Sequence, residues 1–212
     1  MSRVISPDWP APPGIVAGTT TRAGEPPSGA LYLNQVHGAT VVSIVDVRAA
    51  PGLLDADAVV GRSPGDLCAV RTADCLPLLL CSPDGREVAA VHAGWRGVLA
   101  GVIENAVGAM DSRPSDLLAW FGPAISQPAF EVGGEVREAF VERDADTATQ
   151  FEANDRGRWQ ADLYGLGRLR LVQVGVTAIY GGGFCTYGDP ERFYSYRRNP
   201  DCGRMVTFIK IL

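Results

Sequence analysis

Leu76-Pro-Leu-Leu-Leu-Cys-Ser-Pro-Asp-Gly-Arg-Glu-Val-Ala-Ala-Val-His92-Ala-Gly-Trp-Arg-Gly97 is the stretch from which the fold can be argued. Residues 76–82 and 86–92 are apolar runs, and Pro83-Asp84-Gly85 between them predicts a hairpin turn. With Asp84-Gly85 at its centre, Pro83 faces Arg86, His92 lies opposite Pro77, and Cys75 lies opposite Gly94. Side chains alternate along a strand, so Cys75 and Pro77 share a face. Cys75 and His92 then become diagonal neighbours, ~5–8 Å apart at Cβ. A three-residue turn would shift the register and separate them. Beyond His92, Gly94 and Gly97 allow a sharp turn into a helix over 95–110. Val98, Leu99, Val102, Ile103, Ala106 and Met110 form its apolar stripe.

Working outward, strands are predicted over 14–21, 40–47, 67–71, 117–121, 176–180 and 205–212, with a short one ending the segment 55–60. Helices are predicted over 134–143, with Val136, Ala139 and Phe140 inward, and over 162–174, capped by Asp162. The acids of Asp55-Ala-Asp57 read as a turn and a solvated edge. The polar stretch 144–158 reads as exposed. Strands outnumber helices, and hairpins mix with βα units. The fold class expected is therefore α+β, a single domain spanning 1–212, with mixed β-sheets flanked by helices.

The chain has 212 residues, 46% of them hydrophobic, enough for a real core. Its net charge is −5 and it carries no Lys/Arg block, so nucleic acid is not an expected partner. It has no apolar run long enough for a membrane span and no signal-like N-terminus. Five cysteines without close CxxC pairs suit reduced thiols. A cytoplasmic monomer is expected.

The chain has only two histidines. His37 stands in Asn34-Gln35-Val36-His37-Gly38, a setting like that of His92, and Cys75 lies between them in Thr72-Ala73-Asp74-Cys75. Two imidazoles and a thiolate at strand ends form a plausible zinc set with one coordination position open. The plainer alternative is a buried core thiol and two hydrogen-bonded histidines. Sequence spacing does not place His37. Arg96 sits in the first turn of its helix, and Arg197 and Arg198 follow the aromatic run Phe193, Tyr194, Tyr196. Arginine forks suit phosphate, and aromatic rings suit a flat base.

Several motifs in order carry a family resemblance. They are Leu33-Asn-Gln-Val-His-Gly38, Thr72-Ala-Asp-Cys-Leu-Pro77, Val91-His-Ala-Gly-Trp-Arg-Gly97, Gly122-Pro-Ala-Ile125, Phe130-Glu-Val-Gly133, Cys185-Thr-Tyr187 and Phe193-Tyr-Ser-Tyr-Arg-Arg198. With them the chain resembles the YfiH family, also called the peptidoglycan editing factor or laccase-domain (multicopper polyphenol oxidase) family. The resemblance implies a cysteine-hydrolase-like α+β fold and a zinc or copper site made by His37, Cys75 and His92. It also implies phosphorolysis of adenosine, inosine and methylthioadenosine, deamination of adenosine, and a link to peptidoglycan precursor editing. One departure stands out. After the Thr-Arg-x-Gly motif (Thr21 to Gly24), members usually carry a further segment, whereas here Gly24 runs directly into Glu25-Pro-Pro. The expectation is that the chain is broken near Gly24 and Glu25, whose Cα atoms would then lie farther apart than the ~3.8 Å of bonded neighbours.

The function expected is a zinc-dependent purine nucleoside enzyme acting on a nucleoside and phosphate, with copper as the alternative metal. Cys75 and His92 carry the chemistry, and Asp74 is their orienter or proton carrier. Arg22, Gln35, Arg96 and Arg197 are the substrate-side candidates. Three rivals stand beside it: a metal-free Cys75–His92 hydrolase, a copper-dependent phenol oxidase, and a non-enzymatic partner in cell-wall synthesis.

Overall fold

The computed structural model describes residues 2–212. In chain order its strands and helices are β1 (Val4–Ile5), β2 (Ile15–Thr20), β3 (Val41–Ser43), α1 (Ile44–Ala49), β4 (Ala58–Gly61), β5 (Leu67–Thr72), β6 (Leu76–Cys81), β7 (Val88–Ala93), α2 (Trp95–Ala100), α3 (Val102–Gly108), β8 (Leu118–Phe121), β9 (Glu131–Val132), α4 (Gly134–Arg143), β10 (Phe151–Ala153), β11 (Trp159–Ala161), α5 (Leu163–Gln173), β12 (Ala178–Gly181) and β13 (Met205–Ile211). The fold is α+β, as expected.

The strands form a six-stranded sheet, β12-β8-β6-β7-β4-β3, a four-stranded sheet, β1-β2-β13-β5, and a small sheet, β10-β11-β9. The β6–β7 hairpin is central to the large sheet, and its register pairs Pro77 with His92 and Leu76 with Ala93, as the turn predicted. One face of this sheet packs Leu78, Leu80, Ala89 and Val91 against Val98, Val102, Ile103, Phe140 and Leu166 of the helices. The other face packs Leu79, Cys81, Val88 and Ala90 against Cys68, Val70, Ile209 and Ile211 of the four-stranded sheet. With both faces covered, β6 and β7 are apolar at nearly every position instead of alternating.

Three expectations are corrected. The strand over 40–47 stops at Ser43, whose hydroxyl accepts a hydrogen bond from the Val45 N–H and caps α1. The helix over 95–110 is two helices, because Gly101 adopts φ 97 between α2 and α3. The stretch 144–158 is not simply exposed: Thr147 and Phe151 are buried, and β10 pairs with β11. Residues around the short connection at Gly24 are hydrogen-bonded. Arg22 N–H donates to Arg192 O (2.9 Å), Gly24 N–H to Thr21 O (3.0 Å) and Ala30 N–H to Pro27 O (3.2 Å). The shorter connection at Gly24 thus forms an ordered local structure.

Candidate metal centre

Cys75 follows the turn that carries the chain from β5 in one sheet to β6 in the other. The turn needs Asp74 at φ 94, an unusual conformation for a residue with a side chain. Asp74 is held there by its own carboxylate. Oδ1 accepts from Thr186 Oγ1 (2.6 Å), and Oδ2 accepts from Ser195 Oγ (3.0 Å) and Arg197 N–H (2.7 Å). The carbonyl of Asp74 accepts from Ile125 N–H (2.9 Å). The carboxylate therefore fastens distant loops to the base of Cys75. Its hydrogen bonds run to those loops and not to Cys75 or the histidines, which makes Asp74 a positioning residue.

His92 lies near the end of β7 and is 3% exposed. His37 is exposed, in the loop before β3, at φ 60. The structure brings both to Cys75: one ligand atom from each of the three lies within 4.8 Å of the others. His37 Nε2 is 3.8 Å from Cys75 Sγ, and the two imidazole centroids are 4.7 Å apart at 76°. Gly94 makes room for this packing, since a Cβ there would meet Cys75 Sγ and His37 Cδ2, each at 3.0 Å. The glycine of the His-Ala-Gly-Trp stretch is thus required by the cluster itself.

Asp57, which the sequence reading assigned to a solvated edge, is a candidate residue of the site. It is 0% exposed. Its Oδ1 lies 2.8 Å from His92 Nδ1 and accepts the His37 backbone N–H at 2.9 Å, while Oδ2 accepts the Gly38 N–H at 2.7 Å. Asp57 O also accepts the His92 backbone N–H at 2.7 Å. One carboxylate thereby fixes the ring of His92 and the left-handed backbone of His37, leaving His92 Nε2 free to face the cluster.

Burial alone would raise the Asp57 carboxyl, but its bonds to His92, Gly38 and His37 hold it below the usual carboxylate range. Burial also pushes the Cys75 thiol up, yet His37 and His92 outweigh it and bring the thiol down to about 6. Burial lowers His92, and Asp57 and Cys75 outweigh that, raising it to about 9. The bare pocket thus favours a thiolate and gathers positive charge beside it. A thiolate with two imidazoles, donors within 4.8 Å and one side open to solvent, fits a zinc-type cation with an open position.

The substrate-side candidates divide. The amide of Gln35 is spent on the backbone of Arg71, donating from Nε2 to its carbonyl and accepting its N–H, both at 2.8 Å. Arg22 Nη1 donates to Pro190 O, and its guanidinium stacks on Tyr194. Both brace loops. Arg197 donates from Nη2 to Glu131 O (3.0 Å) and covers Phe130. Arg198 is consumed by the carbonyls of Thr186, Tyr187 and Phe193. Arg96 is exposed, over the Trp95 ring.

A family model described as "Multi-copper polyphenol oxidoreductase laccase" matches residues 17–212. The chain belongs to this family, known also as YfiH. Among its YfiH relatives, "Purine nucleoside phosphorylase YfiH" of Escherichia coli K12 is 42% identical over 246 aligned positions, covering 100% of both chains. "Purine nucleoside phosphorylase PA4543" of Pseudomonas aeruginosa is 43% identical, covering 99% of this chain and 98% of the relative. The Escherichia coli alignment runs to 246 positions against 212 residues here, so that relative has residues without a counterpart in this chain. The crystal structure of Neisseria meningitidis protein NMB0706 superposes with a TM-score of 0.93 at 39% identity, covering 99% of each chain. Among the described residues, no helix is long and apolar enough to cross a membrane.

Proposed function

We propose that this chain is a purine nucleoside phosphorylase in which His37, Cys75 and His92 hold one zinc ion. The observation that carries the reading is the meeting of these three donors at one partly open point, with Asp57 fixing two of them. The names of relatives 42% and 43% identical to the chain supply the reaction class. Zinc in this donor set would supply Lewis acidity with one coordination position open to substrate.

In phosphorolysis a phosphate oxygen forms a bond to the anomeric carbon as the glycosidic C–N bond breaks. The bonding pair leaves on the purine, which takes up a proton, and pentose 1-phosphate is released. The chain's own residues place the reactants. Arg96 and Arg197 border the cluster on the substrate side, and Asp57 and Asp74 keep the cluster in register. The substrates proposed are adenosine, inosine and methylthioadenosine, with adenosine deamination as a second activity of the same centre.

A metal-free thiolate mechanism is the second reading, favoured by the lowered Cys75 thiol clustered with His92. The multi-copper oxidase reading has little support in the donor inventory, since two histidines cannot ligate several copper ions. The deciding experiment combines metal analysis of the purified protein with product analysis on nucleosides plus phosphate. Stoichiometric zinc and release of free base with pentose 1-phosphate are expected. Full turnover without metal would refute the zinc reading, and no base release from any purine nucleoside would refute the phosphorylase reading.

A further inference from the structure

The same end of the large sheet carries a second feature that none of the candidates above uses. The ends of β12, β8, β6 and β7 lie side by side, because Gly181 pairs with Phe121, Phe121 with Leu78, and Pro77 with His92. Chain leaving β12 and β8 therefore emerges on the side where Cys75 enters β6 and His92 leaves β7. With strands ~4.8 Å apart, the β8 and β12 ends lie one and two spacings, roughly 5 and 10 Å, from the Cys75 end of β6. Hydrogen bonds fix this arrangement: Ile125 N–H to Asp74 O, Gly122 N–H to Pro77 O and Thr186 N–H to Ala124 O.

In these loops, against the start of α5, lies a cleft of about 510 Å³. That is within the ~300–1,000 Å³ typical of small-molecule sites. Ser126, Phe184 and Cys185 form part of its wall, and its two charged residues are Asp162 and Arg168. Among the described residues, neither is in an ion pair, with the other or with anything else. Asp162 Oδ1 caps α5 by accepting the Gly165 N–H at 2.9 Å, and among the described residues no group donates to Oδ2. Arg168 donates once, from Nη2 to Gly181 O at 2.8 Å, which orients the guanidinium and leaves its other N–H groups available. Gly182 is at φ 88, and a Cβ there would lie 2.9 Å from Arg168 Nη2, so the glycine keeps that wall clear of the guanidinium.

A carboxylate oxygen and guanidinium N–H groups without partners among the described residues, held in one cleft by the Gly181 bond and by the Arg168 stack over Phe121, lie a strand or two from the donor cluster and match a ligand with hydroxyls at one point and an anionic group at another. We propose that this cleft is the pentose-phosphate subsite, where Asp162 accepts hydrogen bonds from the ribose hydroxyls and Arg168 holds the phosphate. The assignment rests on the phosphorylase reading above. It makes Asp162 and Arg168 the residues that select a ribonucleoside and inorganic phosphate.

The test uses zinc-loaded full-length protein. Calorimetry without phosphate compares inosine with 2′,3′-dideoxyinosine, and steady-state kinetics gives the KM for phosphate. Asp162→Asn keeps a helix-capping oxygen but removes the charge, so α5 should stay intact. Its inosine affinity should fall about tenfold while dideoxyinosine binding is unchanged, as loss of one charged hydrogen-bond acceptor implies. Arg168→Met should raise the phosphate KM about tenfold or more. Zinc content should match wild type in both. If Arg168→Met does not fold, Arg168→Lys, which keeps the charge but not the fork, is read by the same criterion. Wild-type protein that does not distinguish the two nucleosides, or variants with wild-type affinity and phosphate KM, would overturn the subsite while leaving the phosphorylase reading intact. Wild-type protein that releases no base would overturn both.

Discussion

Asp57→Asn changes a single atom type at the point where two of the proposed zinc ligands are held. The carboxylate accepts from three groups: His92 Nδ1 at 2.8 Å, His37 N–H at 2.9 Å and Gly38 N–H at 2.7 Å. An amide has one acceptor oxygen and one NH2 donor. With the NH2 at the Oδ2 position, it confronts the Gly38 N–H, and two donors face each other in a fully buried place. With the NH2 at the Oδ1 position, it confronts the His37 N–H and favours the His92 tautomer that carries its proton on Nε2, where zinc should bind. Either way one charge-assisted bond, worth about 1.5–3 kcal/mol, is lost and a donor is stranded. The expected cost is a 10–100-fold rise in the zinc Kd, the range for loss of a group that orients a ligand. Titration against a chromophoric chelator measures this, with thermal unfolding of the zinc-free protein as the control for folding. A zinc Kd within twofold of wild type would show that Asp57 does not set the ligands and would refute the account of the site.

Three further outcomes are expected. Cys75→Ala should lose most bound metal and all nucleoside turnover, because two neutral imidazoles hold zinc weakly; its fold should survive, and retained metal without activity would favour the thiolate mechanism. Gly94→Ala should weaken zinc binding, as its Cβ would press on Cys75 Sγ and His37 Cδ2 at 3.0 Å, and metal content with circular dichroism checks this. Glu87 is buried, which raises its carboxyl, but the N–H groups of Asp111 and Ser112 and the side chain of Arg62 outweigh that and lower it. Its folded pKa is depressed, so its stabilisation is present above the unfolded value of about 4.3 and lost as pH falls through the folded one. Glu87→Gln should therefore lower Tm near neutral pH and converge with wild type in acid, and a Tm gap that widens on acidification would contradict this.

The part of the site legible in the sequence was the part set by short-range geometry. The hairpin closes where Ser82 N–H donates to Glu87 O (3.0 Å) around residues 83–86, which keeps the register that a turn centred on Asp84-Gly85 predicts and places His92 opposite Pro77. Asp57 stayed hidden because its position depends on β4 pairing with β7, Ala58 to Val91, and no tight turn joins those strands to set the register. The acids before β4 look like a solvated edge until His92 arrives from a distant segment. His37 escaped placement for the same reason. At 40–47 the β-branched run reads as a single strand, whereas in the structure Ser43 caps a helix that takes over from Ile44. Arg197 and Arg198 are equivalent as letters, but only the packing of residues 184–198 decides that Arg198 spends its guanidinium on carbonyls.

In the four-stranded sheet, β13 lies between β2 and β5, which do not touch each other in the pairing order. That places residues 205–211 between partners more than a hundred positions earlier in the chain, with Met205 beside Thr72 at the foot of the Cys75 turn. Contacts of such separation make folding slow, because loop entropy is lost before the strands reward it. The β6–β7 hairpin can form early from local contacts, but the turn carrying Cys75 reaches its final shape only once β13 has seated. Zinc capture should therefore lag behind hairpin formation during refolding and follow the slowest phase. Zinc added at the start should stabilise the product of that phase without making it faster.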